Sequence, residues 1–313
     1  MRKLATTFVG GLMVSACMTA AAPAEAPVTT PMAASAAVAA TATSAALQDQ
    51  RVSLRKGRLA QGGLSFWQTE PGAEVFLDKK PVMLSPDGHF ALGFNRDYEG
   101  EAELLVVFAN GEEERRSLPI EERSFRIERI DTLDEAKVNP YTKEQLDQIK
   151  DERAQKTAAR SNRSEQTYWR TGFDWPVRGR ISGKYGAQRI LNGTPKRFHS
   201  GTDVAAPPPM TPAEFVGTPV RAPSTGRVTL AVSDFYFEGG MVFIDHGQEV
   251  ESVLMHLSKV LVRPGQTVSK GEVIGAVGAT GRATGPHLHW TVNWKGQPMD
   301  PELLVPPMPT NGQ

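Results

Sequence analysis

The chain has 313 residues, with 35 Lys and Arg against 35 Asp and Glu, and a single Cys. Balanced charge excludes a global field of the kind that draws a protein to nucleic acid, and one Cys excludes an internal disulfide. The length exceeds one typical domain, so two folded units with connecting segments are expected.

Met1-Arg2-Lys3 precedes a mostly apolar run from Leu4 to Ala16. A positive start and an apolar core too short to span a bilayer mark a secretion signal. Val14-Ser15-Ala16-Cys17 also resembles the bacterial lipobox, in which the signal is cut before a cysteine that becomes lipid-modified; cleavage after Ala22 or Ala26 is the alternative. Residues 1–17 are therefore read as a signal peptide with Cys17 as the lipidation site. Met18, rather than Asp, follows the cysteine. By resemblance to Gram-negative lipoproteins, this points to a periplasmic protein anchored in the outer membrane through lipid on Cys17. Residues 18–50 are Ala, Thr, Pro and Ser with almost no large apolar side chain, so burial cannot offset chain entropy. They read as a disordered tether, on the order of 30 Å long as a coil and about 110 Å when stretched.

Residues 51–130 contain short alternating runs, including Leu64 to Gln68, Ala73 to Leu77, His89 to Phe94 and Glu101 to Ala109. Pro71-Gly72, Pro86-Asp87-Gly88 and the hairpin signal Asn110-Gly111 punctuate them. This predicts a small antiparallel β-sandwich domain in which His89 is structural. In residues 131–168, Thr142-Lys143-Glu144-Gln145 has the form of a capping box ahead of good helix formers. Leu146 and Ile149 are the sizeable apolar residues there. The expectation is an exposed helical connector.

Aromatic density returns at Trp169 to Trp175 and opens the unit spanning residues 169–306, ahead of a short tail at 307–313. Val228, Leu230 and Val232 alternate, Gly239-Gly240 reads as a turn, and Met241 to Asp245 reads as a buried strand. No segment beyond Trp169 shows a helical period over ten residues, so the fold class is mainly β. A loop carrying Pro207-Pro208-Pro209 and Pro212 is stiffened by fixed φ angles.

Four histidines and one aspartate in this unit carry the chemistry. His199 and Asp203 form an H-x-x-x-D pair, His256 ends a strand, and His287 and His289 form H-x-H. On a strand, residues two apart share a face, so both imidazoles look one way while Leu288, Trp290, Val292 and Trp294 face a core. A catalytic zinc site needs three protein ligands and one open position, so two histidines would remain for proton transfer. His246, in an Asp-His-Gly turn, reads as structural.

His199-x-x-x-Asp203, Met255-His256-Leu257 and His287-Leu288-His289, in that order, resemble the M23 or lysostaphin-like peptidoglycan endopeptidases, also called the LytM domain. The similarity runs from about Trp175 to Leu304 and includes Gly217-Thr218-Pro219-Val220 and Asp245-His246-Gly247. That resemblance implies an M23-type, barrel-like or sandwich domain and a Zn²⁺-dependent endopeptidase acting on peptidoglycan stem peptides. In it, His199, Asp203 and His289 would hold the metal, while His256 and His287 would flank the reacting water and carbonyl. Met255 stands where the family often has an aromatic residue, and the proline loop is longer than usual and would rim the groove. Some relatives have lost metal ligands and activate cell-wall amidases. A silent module with amidase or cell-division partners is thus the competing function, although this chain keeps all five positions. Ala222 to Val228 and Val262 to Ile274 also look like the halves of a biotinyl or lipoyl carrier barrel, but no exposed lysine occupies the hairpin between them.

Overall fold

In the computed structural model, which describes residues 51–130, 142–161 and 164–309, the first alternating runs form two antiparallel sheets. Strands β1 (Ser53–Gly57), β2 (Leu64–Gln68) and β5 (His89–Gly93) make one sheet. Strands β3 (Glu74–Leu77), β4 (Lys80–Val82), β6 (Glu101–Val107) and β7 (Glu113–Pro119) make the other, in the order β4-β3-β6-β7. Along β6, Ala102, Leu104 and Val106 are buried and Glu101 and Glu103 are exposed, the period-2 pattern of a half-buried strand. The β6–β7 turn carries Asn110, whose side-chain oxygen accepts from Glu112 N, and Gly111 at φ +86°. The expected signal segment, Cys17 and the tether lie outside the described residues.

Strand β8 (Ile127–Ile130) leaves the first segment and pairs in parallel with β10 (Gln188–Leu191). Between them come helix α1 (Lys143–Ser161) and strand β9 (Arg180–Gly183). The capping box at the start of α1 is present: Thr142 Oγ1 accepts from Gln145 N, and Gln145 Oε1 accepts from Thr142 N. The helix is not a free connector, however. Glu152 is buried and its Oε1 accepts from Tyr236 N, Lys156 pairs with Glu238 at 2.5 Å, and Arg160 pairs with Glu251 at 2.9 Å. Docking through polar groups leaves no apolar stripe, so hydrophobic periodicity gives no sign of it.

The remaining strands are β11 (Thr194–Pro195), β12 (Thr202–Ala205), β13 (Pro219–Arg221), β14 (Gly226–Phe235), β15 (Gly239–Gly247), β16 (Val250–Val260), β17 (Thr267–Val268), β18 (Val273–Val277), β19 (His287–Trp294) and β20 (Gln297–Met299). Ten strands form one sheet whose main path is β17-β14-β15-β16-β19-β12-β9. The class is mainly β, as expected, and the sheets stay open rather than closing into a barrel. The proline-rich loop contains the short helix α2 (Pro212–Phe215), where Thr211 and Glu214 form a capping box and Phe215 is buried. Gly239 and Gly240 begin β15 rather than forming the β14–β15 turn, which falls at residues 236–238. A Cβ on Gly239 would lie 2.1 Å from Thr280 Oγ1, and one on Gly240 would lie 2.3 Å from Leu257 O. Close backbone approach therefore explains this glycine pair.

One apolar core includes side chains from both segments: Phe66, Trp67 and Phe90 together with Trp169, Trp290 and Met299. Phe66 stacks on Trp169 at 4.4 Å, and Arg123 pairs at 2.7 Å with the buried Asp300. Gly93 lies against Trp294 and Met299, which a Cβ would meet at 2.9 and 3.0 Å. Gly93→Ala is therefore expected to destabilise the protein by about 1–3 kcal/mol through overpacking, read as a lower thermal midpoint. An unchanged midpoint would mean that this contact yields freely.

Candidate metal centre and active site

Two neighbouring strands and the loop before one of them bring the ligand-type residues together. Across the β12–β19 ladder Asp203 is opposite His289 and Ala205 is opposite His287, and His199 lies four residues before Asp203. Leu288, Trp290 and Val292 are fully buried on the other face of β19, so packing of one face fixes the direction of the other. His199 Nε2 lies 3.1 Å from Asp203 Oδ1 and 3.0 Å from His289 Nδ1, and His289 Nδ1 lies 2.7 Å from Asp203 Oδ1.

The proton positions follow from the partners. His199 Nδ1 is 2.9 Å from the carbonyl of Lys184, which can only accept. That nitrogen carries the proton, and Nε2 of the neutral ring presents a lone pair to Asp203. The Thr291 hydroxyl, 2.8 Å from His289 Nε2, can accept a hydrogen bond from a proton on that nitrogen, which leaves Nδ1 as a second lone pair. Three acceptors thus converge within about 3 Å with no donor between them, an arrangement that a cation resolves. Tetrahedral ligands about 2.1 Å from an ion sit roughly 3.4 Å apart, so the triangle needs to open by about 0.3 to 0.7 Å along its edges.

Without a metal, burial raises the Asp203 carboxyl, but hydrogen bonds from His199 and His289, made when a ring turns its proton towards it, outweigh burial and hold the group well below the usual carboxylate range; a cation would take over that role. Burial lowers His289 to about 4 against the pull of Asp203. An ionised carboxylate and neutral imidazoles are the forms that bind metals.

His256 reaches the site by a backbone irregularity. Met255 pairs with His289 and Leu254 with Trp290, so strict alternation would send His256 to the core face with Leu254. Instead β16 carries one extra residue against β15 between Leu254 and Leu257, and His256 adopts φ +65°. The bulge re-aims the side chain, and its ring lies 4.7 Å from that of His287. A left-handed non-glycine residue costs on the order of 1–3 kcal/mol and marks a site where geometry is enforced by its surroundings. His256 Nδ1 donates to Thr280 O at 2.9 Å, and His287 Nδ1 donates to Gly285 O at 2.8 Å. Both rings then present Nε2, that of His287 lying 3.8 Å from Asp203 Oδ1. Burial first, then the neighbouring His287 and His289, lower the His256 pKa to about 3.

All five sequence-predicted residues of this domain therefore share one site, whereas His246 lies apart. It is fully buried, donates from Nδ1 to Thr225 O at 2.7 Å, and meets Ser252 Oγ with Nε2 at 2.8 Å, as a structural histidine does. Several supporting groups escape a reading of the sequence. Carbonyls of Lys184, Thr280 and Gly285 orient three of the rings, and a backbone carbonyl has no residue-type signature. Thr291, two residues after His289, could have been found from strand alternation. Glycine is required at two positions: a Cβ on Gly183 would lie 2.4 Å from Asp203 Oδ2, and one on Gly201 would lie 2.9 Å from His289 Nε2. Arg189 places Nη2 3.4 Å from Asp203 Oδ2.

A model of peptidase family M23 matches residues 197–301. The chain is 41% identical over 123 residues to the peptidoglycan DD-endopeptidase ShyA of Vibrio cholerae, across 39% of this chain and 26% of that protein. It is 42% identical over 113 residues to the DD-carboxypeptidase/endopeptidase Mpg of Neisseria gonorrhoeae, across 36% of this chain and 24% of that protein. The chain thus spans about a quarter of the length of these curated relatives. A crystal structure of a Pseudomonas aeruginosa protein assigned to peptidase M23 matches with a TM-score of 0.58 at 32% identity, covering 79% of this chain and 95% of that one. Nearly the whole of that relative is covered at this identity, and all five site residues lie within the span matched by the family model: the chain belongs to peptidase family M23.

Proposed function

We propose that the protein is a zinc-dependent endopeptidase that hydrolyses peptide cross-links of bacterial peptidoglycan. The observation carrying this reading is the convergence of three lone-pair donors, His199 Nε2, Asp203 Oδ1 and His289 Nδ1, beside two further imidazoles. These three residues would hold the ion. Two imidazoles and one carboxylate leave a tetrahedral position open, the pattern of catalytic rather than structural zinc. Zinc bound there supplies Lewis acidity to the scissile carbonyl and makes a water acidic enough to react near neutral pH.

The chain's own groups do the rest. With Nδ1 of His256 and of His287 each committed to a carbonyl, Nε2 of either ring can accept the proton of the attacking water. The ring that becomes protonated can pass its proton to the leaving amine or donate to the developing oxyanion. The names of the curated relatives, peptidoglycan DD-endopeptidases among them, support the substrate class; an outer-membrane lipoprotein would face directly cross-linked stem peptides, which makes a D-alanyl to diaminopimelate cross-link the favoured bond. Export through residues 1–17 and lipid anchoring at Cys17 would place the site in the periplasm at the outer membrane, with the tether setting its reach.

Purified sacculi digested with the soluble protein are expected to release fragments cut at peptide cross-links, identified by mass. A zinc chelator should abolish that release, and added Zn²⁺ should restore it. Intact sacculi from a protein that carries no zinc would instead favour the amidase-activating module.

A further inference from the structure

Arg189 stands at the edge of the site with most of its hydrogen-bonding capacity uncommitted. On β10, its Nη2 lies 3.4 Å from Asp203 Oδ2, the carboxylate oxygen that does not face the histidines. Glu128, its register partner on β8, places Oε2 3.8 Å from Nε, and the cation Arg282 also lies within electrostatic reach. At that separation Glu128 balances charge without taking a hydrogen bond. Nε is buried and has no hydrogen-bond partner among the described residues. The side chain is nevertheless 33% exposed, so the fork can be reached from solvent. A guanidinium offers five donors in a rigid plane that matches a carboxylate bidentately. One such fork, a single carboxylate's width from the ligand atom Asp203 Oδ1, is more than the positioning of Asp203 requires.

We infer that Arg189 is a specificity residue of the proposed peptidase site, receiving a substrate carboxylate borne on the carbon attached to the scissile amide nitrogen. The inference rests on the cross-link-cleaving function proposed above and adds to it a chemical requirement on the substrate. In a D-alanyl to diaminopimelate cross-link, the carbon bearing the amide nitrogen also bears a carboxylate, three bonds from the carbonyl carbon under attack. In a glycine bridge the corresponding carbon bears none. Arg189 Nη2, 3.4 Å from Asp203 Oδ2, stands directly beside the ligand set, where a group so near the scissile carbonyl would fall. Glu128 is the resident anion that the substrate carboxylate displaces, so it competes weakly for the same guanidinium.

The test uses the zinc-loaded full chain and two cross-linked muropeptide dimers that differ only in whether this carboxylate is free or amidated. The wild-type protein should prefer the free carboxylate by at least about tenfold in kcat/KM, equivalent to about 1.4 kcal/mol. Arg189→Gln should bring the two substrates to within about twofold of each other, since the charge-assisted pair is then gone. Arg189→Lys, which keeps the charge and loses the fork, should fall between them and covers the case in which the glutamine variant fails to fold. Glu128→Gln should act in the opposite sense, lowering KM for the carboxylate substrate about two- to fivefold, the worth of a partly exposed ion pair. Zinc content is read for every variant. Equal losses on both dimers, or loss of zinc from Arg189→Gln, would make Arg189 a positioning residue for Asp203 and overturn the inference. Wild-type protein that cuts both dimers equally would overturn the inference alone, whereas protein that cuts neither dimer nor sacculi would remove the proposed function along with it.

Discussion

His289→Ala is expected to lose zinc, while His287→Ala should keep zinc and lose turnover. The two residues are separated by one position on β19, yet their ring nitrogens have different surroundings. His289 Nδ1 is a corner of the donor triangle, within 3.0 Å of both other ligand atoms. His287 Nε2 stands 3.8 Å from Asp203 Oδ1, and its ring is turned by the Gly285 carbonyl. Removing a corner leaves two ligands, too few for a catalytic zinc site. Removing His287 leaves all three corners and takes away a proton-transfer group, which costs about 10²–10⁴-fold in rate. Metal analysis of the purified variants together with cross-link cleavage separates the two outcomes. If both variants lost metal equally, the division of roles would be wrong.

The second large effect concerns stability and pH. His246 is completely buried, and burial pushes its pKa down to about 4 despite the hydrogen bond to the Thr225 carbonyl. In the folded protein the ring is neutral at any pH above that value. An unfolded chain takes up the proton near 6.5. Below pH 6.5 the unfolded state therefore binds more protons, and stability falls as pH drops from 6.5 towards 4. The gap between the two pKa values corresponds to a loss on the order of 3 kcal/mol at the low end, a large share of a typical folding free energy. Denaturant unfolding at pH 7.5 and pH 4.5 should show this loss in the wild-type protein. His246→Gln, lower in stability at pH 7.5, should show correspondingly less pH dependence. Equal slopes for the two proteins would assign the effect to other groups.

Chemistry that depends on residue type and short spacing is legible in the chain of residues alone. Asp203 and the H-x-H pair lie on adjacent antiparallel strands with His199 in the loop just before the first, and strand alternation by itself puts His287 and His289 on one face. The capping box of α1 and the Asn110-Gly111 hairpin are local devices, so four residues carry their whole signal. The side on which α1 packs is not legible, because Glu152, Lys156 and Arg160 dock it through charges that look like a solvated face. Nor is the turn between β14 and β15, where Gly239 and Gly240 serve a close approach to Thr280 and Leu257 rather than the reversal itself.

By itself the sequence determined the mainly β class, the strand pattern around the core and the five residues of the site. These follow from periodicity and from side-chain chemistry, both properties of the chain taken locally. Tertiary structure decided how those five residues act together. It supplied the bulge that turns His256 out of the core face, the three carbonyls that set the ring tautomers, and the packing that places Arg189 from β10 beside Asp203. Apart from the Gly285 carbonyl, two residues from His287, these features join residues well separated in the chain, and all of them depend on backbone geometry that is created only when the strands pair.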